Sequence, residues 1–404
     1  MGVKLDHIFN SAINNSIFKN KSVLQVRYTP QNIPHRDSQI KAIASILAST
    51  LRGERPSNLF VYGKTGTGKT LSVEYVTDEI SKRSKDLGVA VDFKYLNCKL
   101  RKVADTEYRI LAALIKQLGG EVPSTGLPTD KVWNIFIDLV DQKKQLIIFI
   151  FDEIDQAVKK MSDNFLYSLT RLNQELKNAQ ISIIGISNDV TFLENIDPRV
   201  RSSLGEEEFI FPPYNAIQLQ DILNERCGLA FKEGSISEGV TAKCAAYAAR
   251  EHGDARRALD LLRVAAELCE REGKTKVGEE YIDLANNKIE KDKILDIIET
   301  YPKQHKLVLY SIVNLDKEKN NKKLEKYYTG DVYNLYQDLC LQTKTDSLTQ
   351  RRVSDILADL DMMGIINAKI ISKGRHGRTR EIKMGVPSNL LNKIEKTIKE
   401  SIGL

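Results

Sequence analysis

The run Asn58-Leu-Phe-Val-Tyr62, followed at once by Gly63-Lys-Thr-Gly-Thr-Gly-Lys-Thr70, decides the fold. The first five residues form a short apolar stretch closed by a glycine, which reads as a buried strand. The next eight fit G-x-x-x-x-G-K-[ST]. Glycines let such a loop curl until its backbone N–H groups point inward at phosphate. Leu71 to Arg83 reads as a helix, and its positive N-terminal end adds to the same field. The spacing predicts phosphate contacts from Gly63, Thr65, Gly66, Thr67, Gly68, Lys69, Thr70 and Leu71. The Lys69 ammonium reaches the β- and γ-phosphates and the Thr70 hydroxyl ligates Mg2+, so ATP or ADP with Mg2+ is the implied cofactor.

Working outward, Leu146-Ile-Ile-Phe-Ile-Phe-Asp152-Glu153 reads as a strand buried on both faces that ends in two acids. Open α/β sheets bind ligands at the carboxyl ends of their strands. Asp152 is placed to hold the Mg2+ shell, and Glu153 to orient and deprotonate the attacking water. Ala90–Leu96 and Ile181–Ile186 read as further strands. Asp37–Leu51, Glu107–Leu118, Lys131–Asp141 and Asn164–Leu176 read as helices. Strands alternating with helices predict an α/β module, a parallel sheet with helices on both faces.

After Phe211-Pro-Pro-Tyr214 the pattern turns helical without a convincing strand, and a third unit starts near Ile294. The expected division is 1–212, a nucleotide-binding core with an irregular lead-in; 213–292, an all-α lid; and 293–404, a DNA-binding domain. In the last, three helices and two short strands around a basic turn match the winged-helix plan. Ser347 and Gln350 form a candidate capping box. Val353, Ile356, Leu357, Leu360 and Met363 share one face and are expected in the core. On the other face Asp355, Asp359 and Asp361 repel phosphate. Only the first turn, with Thr349, Gln350, Arg351 and Arg352, is expected to enter a major groove. The hairpin tip offers Lys373, Arg375, Arg378 and Arg380, suited to a narrow minor groove. Lys317 to Lys326 reads as a solvated charged loop.

Composition agrees. The 404 residues are 42% hydrophobic and 28% charged, which excludes disorder throughout, a collagen and a disulfide miniprotein. The longest apolar run, Leu146–Phe151, is far short of the ~20 residues of a membrane span. The start, Met-Gly-Val-Lys-Leu-Asp, has no apolar signal core. Five cysteines without a CxxC pair argue against a disulfide framework or a zinc site and fit a reducing, cytoplasmic location, with nucleoid association expected only from DNA binding. Residues 291–404 hold 21 Lys+Arg against 15 Asp+Glu, which is the whole +6 excess of the chain. A neutral body with a basic terminal domain points to a polyanion partner.

The acidic pair after the strand resembles the AAA+ ATPase class. That resemblance implies a polar residue at the tip of the next strand, matched by Asn188, which would bind the γ-phosphate or the water. It also implies a lid arginine on the γ-phosphate, matched by Arg256 in Gly253-Asp-Ala-Arg256. Tyr214 between core and lid would meet the adenine, with Arg226 a weaker nucleotide contact. Pro34-His-Arg36 would lie near the base, its backbone mattering more than its side chains.

The order of parts closely resembles the archaeal origin-recognition and replication-licensing initiators (Orc/Cdc type), over nearly the whole chain. The resemblance implies an ATP-switched initiator that binds double-stranded origin DNA and recruits the replicative MCM helicase, with other copies or paralogues on the DNA. It also implies an inserted helix within Ala104–Trp133, whose loop at Gly119–Asp130 touches DNA through backbone and apolar contacts. Where eukaryotic relatives place a trans-acting Ser-Arg, this chain has Ser202-Ser203, leaving Arg199 or Arg201 for that role. Two other readings compete. A clamp-loader or helicase-type motor requires fast, DNA-stimulated turnover, and a nucleotide-switched regulator requires a sensor domain for which no residues remain.

Overall fold

The computed structural model describes residues 16–25, 28–30, 32–99, 106–123, 126–161, 164–204, 206–322, 327–372, 378–386 and 388–402. The chain divides into one compact unit up to Ile282 and a second from Asp283.

In the first unit, β1 (Leu59–Tyr62), β2 (Val91–Asn97), β3 (Leu146–Asp152), β4 (Gln180–Ser187) and β5 (Glu207–Ile210) form a sheet in the order β2-β3-β4-β1-β5. All pairs are parallel. This is the α/β module the alternation predicts. β3 is buried at all seven positions, and its side chains alternate between two cores. Ile147, Phe149 and Phe151 pack with α3 (Glu107–Gln117), α4 (Thr129–Val140) and α6 (Asn164–Arg171). Leu146, Ile148 and Ile150 pack with α1 (Asp37–Leu47) and α2 (Lys69–Asp86). Because every strand runs the same way, Tyr62, Asn97, Asp152 and Ser187 all end at one edge of the sheet. Asp152 lies in register with Asn97 on one side and Ile186 on the other.

Three elements here escaped the sequence reading. β5 is an edge strand, mostly exposed, so it has no apolar signature. α5 (Ile154–Met161) starts directly after Glu153, and α7 (Pro198–Leu204) follows Asp197. The lid follows as α8 (Ala216–Ala230), α9 (Val240–Arg250) and α10 (Ala255–Arg271). Asn215 and Gln218 form a capping box on α8, and the Asp254 carboxylate caps α10 by accepting from the Arg256 and Arg257 N–H groups. α11 (Glu279–Thr300) begins in the first unit and belongs to the second from Asp283 on.

The second unit contains α12 (Lys303–Lys322), α13 (Thr329–Gln342), α14 (Gln350–Met362), α15 (Ser388–Ile402) and an antiparallel sheet. The sheet order is β6 (Tyr327–Tyr328), β8 (Arg378–Met384), β7 (Ile366–Ser372). Several expectations change. The helix α12 continues to Lys322, so the charged stretch from Lys317 is helical there; residues 323–326 lie outside the described residues. The cap of α14 is Thr349, not Ser347: its hydroxyl accepts the Arg352 N–H. Val353, Ile356, Leu357 and Leu360 are buried, but Met363 is 50% exposed, because it sits past the last turn of α14. α15 was not anticipated; Ile394 and Ile398 seat it on the core. Among the described residues no helix is long and apolar enough to cross a membrane.

Candidate nucleotide site

The phosphate loop is held by contacts from far along the chain. Its first glycine, Gly63, passes so close to the residue after β5 that a Cβ would stand 2.3 Å from the Phe211 carbonyl. Gly66 and Gly68 take φ of +67° and +86°, open to glycine at no steric cost. The Lys69 ammonium donates to the carbonyls of Gly63 (2.7 Å) and Lys64 (2.7 Å) and to Asn188 Oδ1 (2.9 Å). Thr67 is fully buried, with its hydroxyl on the Lys64 carbonyl (2.8 Å). Burial pushes the Lys69 ammonium down to about 8; Asp152 resists this and Arg256 adds to it.

Asp152 stands opposite. Its Oδ2 accepts from Thr70 Oγ1 (3.1 Å), from the Tyr95 hydroxyl (2.6 Å) and from Asn97 Nδ2 (3.5 Å). Burial and that bond raise the Tyr95 pKa. Burial and the Asp152 charge raise the carboxyl of Glu74, on the facing helix. Glu153 adopts φ +54°, rare for a residue with a side chain, and its carboxylate pairs with Lys99 at 3.3 Å.

A cavity of about 870 Å3 joins these groups. Thr65, Gly66, Thr67, Gly68, Lys69, Thr70 and Leu71 line one wall, Asp152, Glu153 and Asn188 the floor, and Tyr214, Arg226 and Arg256 the lid side. Its far end is apolar and comes from the lead-in, through Leu24, Tyr28 and Ile33. The size, the glycine cradle and an oxygen pair of hydroxyl and carboxylate fit a nucleotide with a hard divalent cation. Arg226 Nη1 is buried without a hydrogen-bond partner among the described residues, while its guanidinium covers the Tyr28 ring at 4.5 Å.

The Arg36 side chain has a structural part that the sequence reading did not assign to it. It is 2% exposed, and its Nε donates to the Thr67 carbonyl (2.8 Å) and its Nη2 to the Pro212 carbonyl (2.6 Å). The guanidinium lies 3.8 Å from the Tyr214 ring centroid, and burial lowers its pKa. Tyr214 is thereby covered on one face by an arginine of this chain.

Three family descriptions match consecutive parts of the chain: an AAA ATPase domain over residues 32–184, a Cdc6 AAA+ ATPase-type lid domain over 220–287, and a CDC6 C-terminal winged helix domain over 296–393. The ORC1-type DNA replication protein of Pyrococcus furiosus is 52% identical over 391 residues, covering 96% of this chain and 91% of that one. The chain belongs to the ORC1-type DNA replication protein family. The ORC1-type DNA replication protein 1 of Methanosarcina mazei is 49% identical, covering 96% and 93%. Among solved structures, Aeropyrum pernix ORC1 in complex with DNA is 40% identical with a TM-score of 0.81, covering 95% and 97%. Pyrobaculum aerophilum CDC6P, 22% identical with a TM-score of 0.59 over 96% of this chain, shares the fold. This ORC1-type chain is thus a replication-initiation protein with an AAA ATPase domain, a helical lid and a winged helix.

In the winged helix, a groove of about 500 Å3 runs between the start of α14 and the hairpin, lined by Gln350, Arg351, Ser354, Ile370, Thr379, Arg380 and Thr329. Arg351 and Arg352 are exposed, Arg352 within 4.0 Å of Asp355. Thr349 spends its hydroxyl on the helix cap. Arg380 donates one guanidinium nitrogen to the Ser354 carbonyl (3.0 Å), which straps the hairpin to α14. Lys373 and Arg375 lie outside the described residues, as does the side chain of Arg378. In the core, Arg199 chelates Asp197 and covers the Tyr167 ring at 5.0 Å, while the side chain of Ser203 lies outside the described residues.

Sequence reading missed Tyr95, Asn97, Lys99 and the lead-in wall. The first two had an available signal: a parallel neighbour of the acid-bearing strand must end beside the acid. The lead-in had none, because its apolar residues follow no period.

Proposed function

We propose that this chain is an ATP-regulated initiator that grips double-stranded origin DNA and recruits the replicative MCM helicase, with nucleotide state as the switch. The supporting observation is the likeness to Aeropyrum pernix ORC1, 40% identical over 95% of this chain and solved in complex with DNA. The convergence of Lys69, Asp152, Glu153, Asn188 and Arg256 on one cavity supports the nucleotide part.

In this reading the loop from Gly63 to Leu71 cradles the phosphates, and Lys69 meets them with an ammonium already withdrawn from water. Thr70 and Asp152 hold Mg2+, which neutralises phosphate charge when bound. Glu153, turned by its left-handed backbone, takes the proton of the attacking water. Asn188 orients that water or the γ-phosphate. Arg256 brings the lid's positive charge to the same end of the cavity, and Tyr214 and Arg226 flank the base. Lid position then differs between ATP and ADP states, and only such a difference can move an equilibrium. Gln350, Arg351 and Arg352 face the major groove, with Thr349 fixing their helix. The hairpin arginines Arg378 and Arg380, with Lys373 and Arg375, reach the minor groove. The α3–α4 segment adds a second contact, and other copies or paralogues assemble on the same DNA.

The test is binding to a duplex from the host's origin and to a shuffled control, across a salt series, with ATP or ADP. Origin preference that falls with Arg378→Ala/Arg380→Ala is expected. Equal affinity for both duplexes together with fast ATP turnover refutes the initiator reading, since phosphate-only binding ignores sequence.

A further inference from the structure

The lid touches the phosphate loop through one strained turn. His252 and Gly253 take consecutive left-handed conformations, φ +84° and +68°, and Asp254 follows as the cap of α10. Gly253 lies so close to the chain between core and lid that a Cβ would stand 2.3 Å from the Tyr214 carbonyl, whose own N–H donates to Gly253 O (3.3 Å). The other side of the turn meets the loop at three successive residues. Lys64 Nζ is 3.5 Å from His252 Nδ1, and the Thr65 hydroxyl is 3.5 Å from Asp254 Oδ2. The Ala255 N–H donates to the Gly66 carbonyl (3.2 Å). The closest approach is at Gly66, where a Cβ would lie 1.6 Å from Asp254 Oδ1. The phosphate motif leaves this position free to vary, and its glycine here serves both the left-handed turn of the loop, φ +67°, and the close approach of Asp254.

We infer that His252–Asp254 is a latch: Asp254 docks the lid on the phosphate loop, positions Arg256 two residues on, and must let go before nucleotide can leave. This rests on the nucleotide reading of the cavity. Asp254 touches no reacting group; it is a positioning residue that acts through Arg256 and through the lid's hold on the loop. The same carboxylate oxygen caps α10 and meets Gly66, so the order of the helix end and the closure of the lid are tied together.

The test is the release rate of a fluorescent methylanthraniloyl-ADP from the full chain, chased with excess ADP. Asp254→Ala and Asp254→Ser are compared, each alone and on Gly66→Ala. Serine keeps a capping oxygen but is too short to hold Thr65 and Gly66. Both Asp254 variants are expected to release about tenfold faster than the parent, a change typical of a lost contact between coupled sites. Gly66→Ala, whose methyl ejects Asp254, is expected to release fast by itself, and adding Asp254→Ser then changes the rate less than about twofold. The same factor in both backgrounds overturns the latch, as does an Asp254→Ser variant that releases like the parent while Asp254→Ala does not, because the helix cap alone then explains the effect. Lys69→Ala serves as the separate check: if it binds the probe as well as the parent, the nucleotide reading fails rather than the latch.

Discussion

Arg36→Ala is expected to destabilise the first unit by about 3 kcal/mol. The guanidinium makes two short bonds to carbonyls, one on the phosphate loop and one on Pro212, between core and lid. Charge-assisted bonds contribute about 1.5–3 kcal/mol each, and the stack on Tyr214 adds roughly 1–2 kcal/mol in a dry site. Against this stands the cost of burying the charge, visible as its lowered pKa. About half of the gross gain survives. The assay uses the chain's single tryptophan. Trp133 packs on the core of the first unit, so its fluorescence in urea follows that unit without requiring the two-unit chain to unfold in one step. At a slope near 3 kcal/mol per molar, the midpoint falls by about 1 M. Arg36→Lys keeps the charge but not the planar fork that serves two carbonyls in different directions, and is expected to recover less than half. ADP affinity falls in parallel, because Thr67 loses its brace. A loss below about 1 kcal/mol for Ala, or full recovery by Lys, refutes the brace.

The low pKa of Lys69, about 8, gives a pH dependence with two opposite signs. Phosphate favours the ammonium form, so ADP affinity without Mg2+ falls about tenfold between pH 7 and 9, and calorimetry on Lys69→Met should lose that slope. Folding disfavours the ammonium, so the nucleotide-free parent gains stability relative to Lys69→Met as pH rises from about 8 toward 10.5, the ordinary lysine value. Glu153→Gln is expected to bind ATP normally and hydrolyse it at least ~100-fold more slowly, the usual loss for a general base; normal turnover removes Glu153 from that role. Arg351→Ala and Arg352→Ala should each lower DNA affinity, and each that meets a phosphate should reduce the slope of log affinity against log salt by about one.

How much of this was legible follows from how local each signal is. Gly63–Thr70, Leu146–Glu153 and the core positions Val353, Ile356, Leu357 and Leu360 are defined by near neighbours in sequence. Motif spacing and periodicity therefore place them within a residue or two of the elements observed. The edge strand Glu207–Ile210 was invisible because a strand paired on one side needs no apolar run. The inward packing of Arg36 was missed for a different reason. Its acceptors lie 31 and 176 residues away, and nothing in Pro34-His-Arg36 itself indicates that the guanidinium turns inward. Asp254 was read correctly as a helix cap, yet its contact with Gly66 across 188 residues is not a property of either segment alone.

Backbone strain makes the same point about the site as a whole. Among the described residues four non-glycine positions take positive φ: His35, Glu153, His252 and Lys344. Glu153 lines the cavity, and His35 and His252 adjoin segments that line it at Pro34 and at Ala255 and Arg256. His35 turns the lead-in and pairs with Asp221 on α8 at 3.0 Å, Glu153 aims a carboxylate, and His252 opens the turn that docks the lid. Glutamate rarely adopts this conformation and histidine does so only somewhat more often, and each such residue costs about 1 kcal/mol or more. The burial of an ammonium at Lys69 is a further cost to the fold. The compensation is long-range: Arg36, the Asp254 cap and the three acceptors of Lys69 hold the loop in a shape that its own residues would not keep. Bound nucleotide stabilises the first unit by mass action, more steeply than the second.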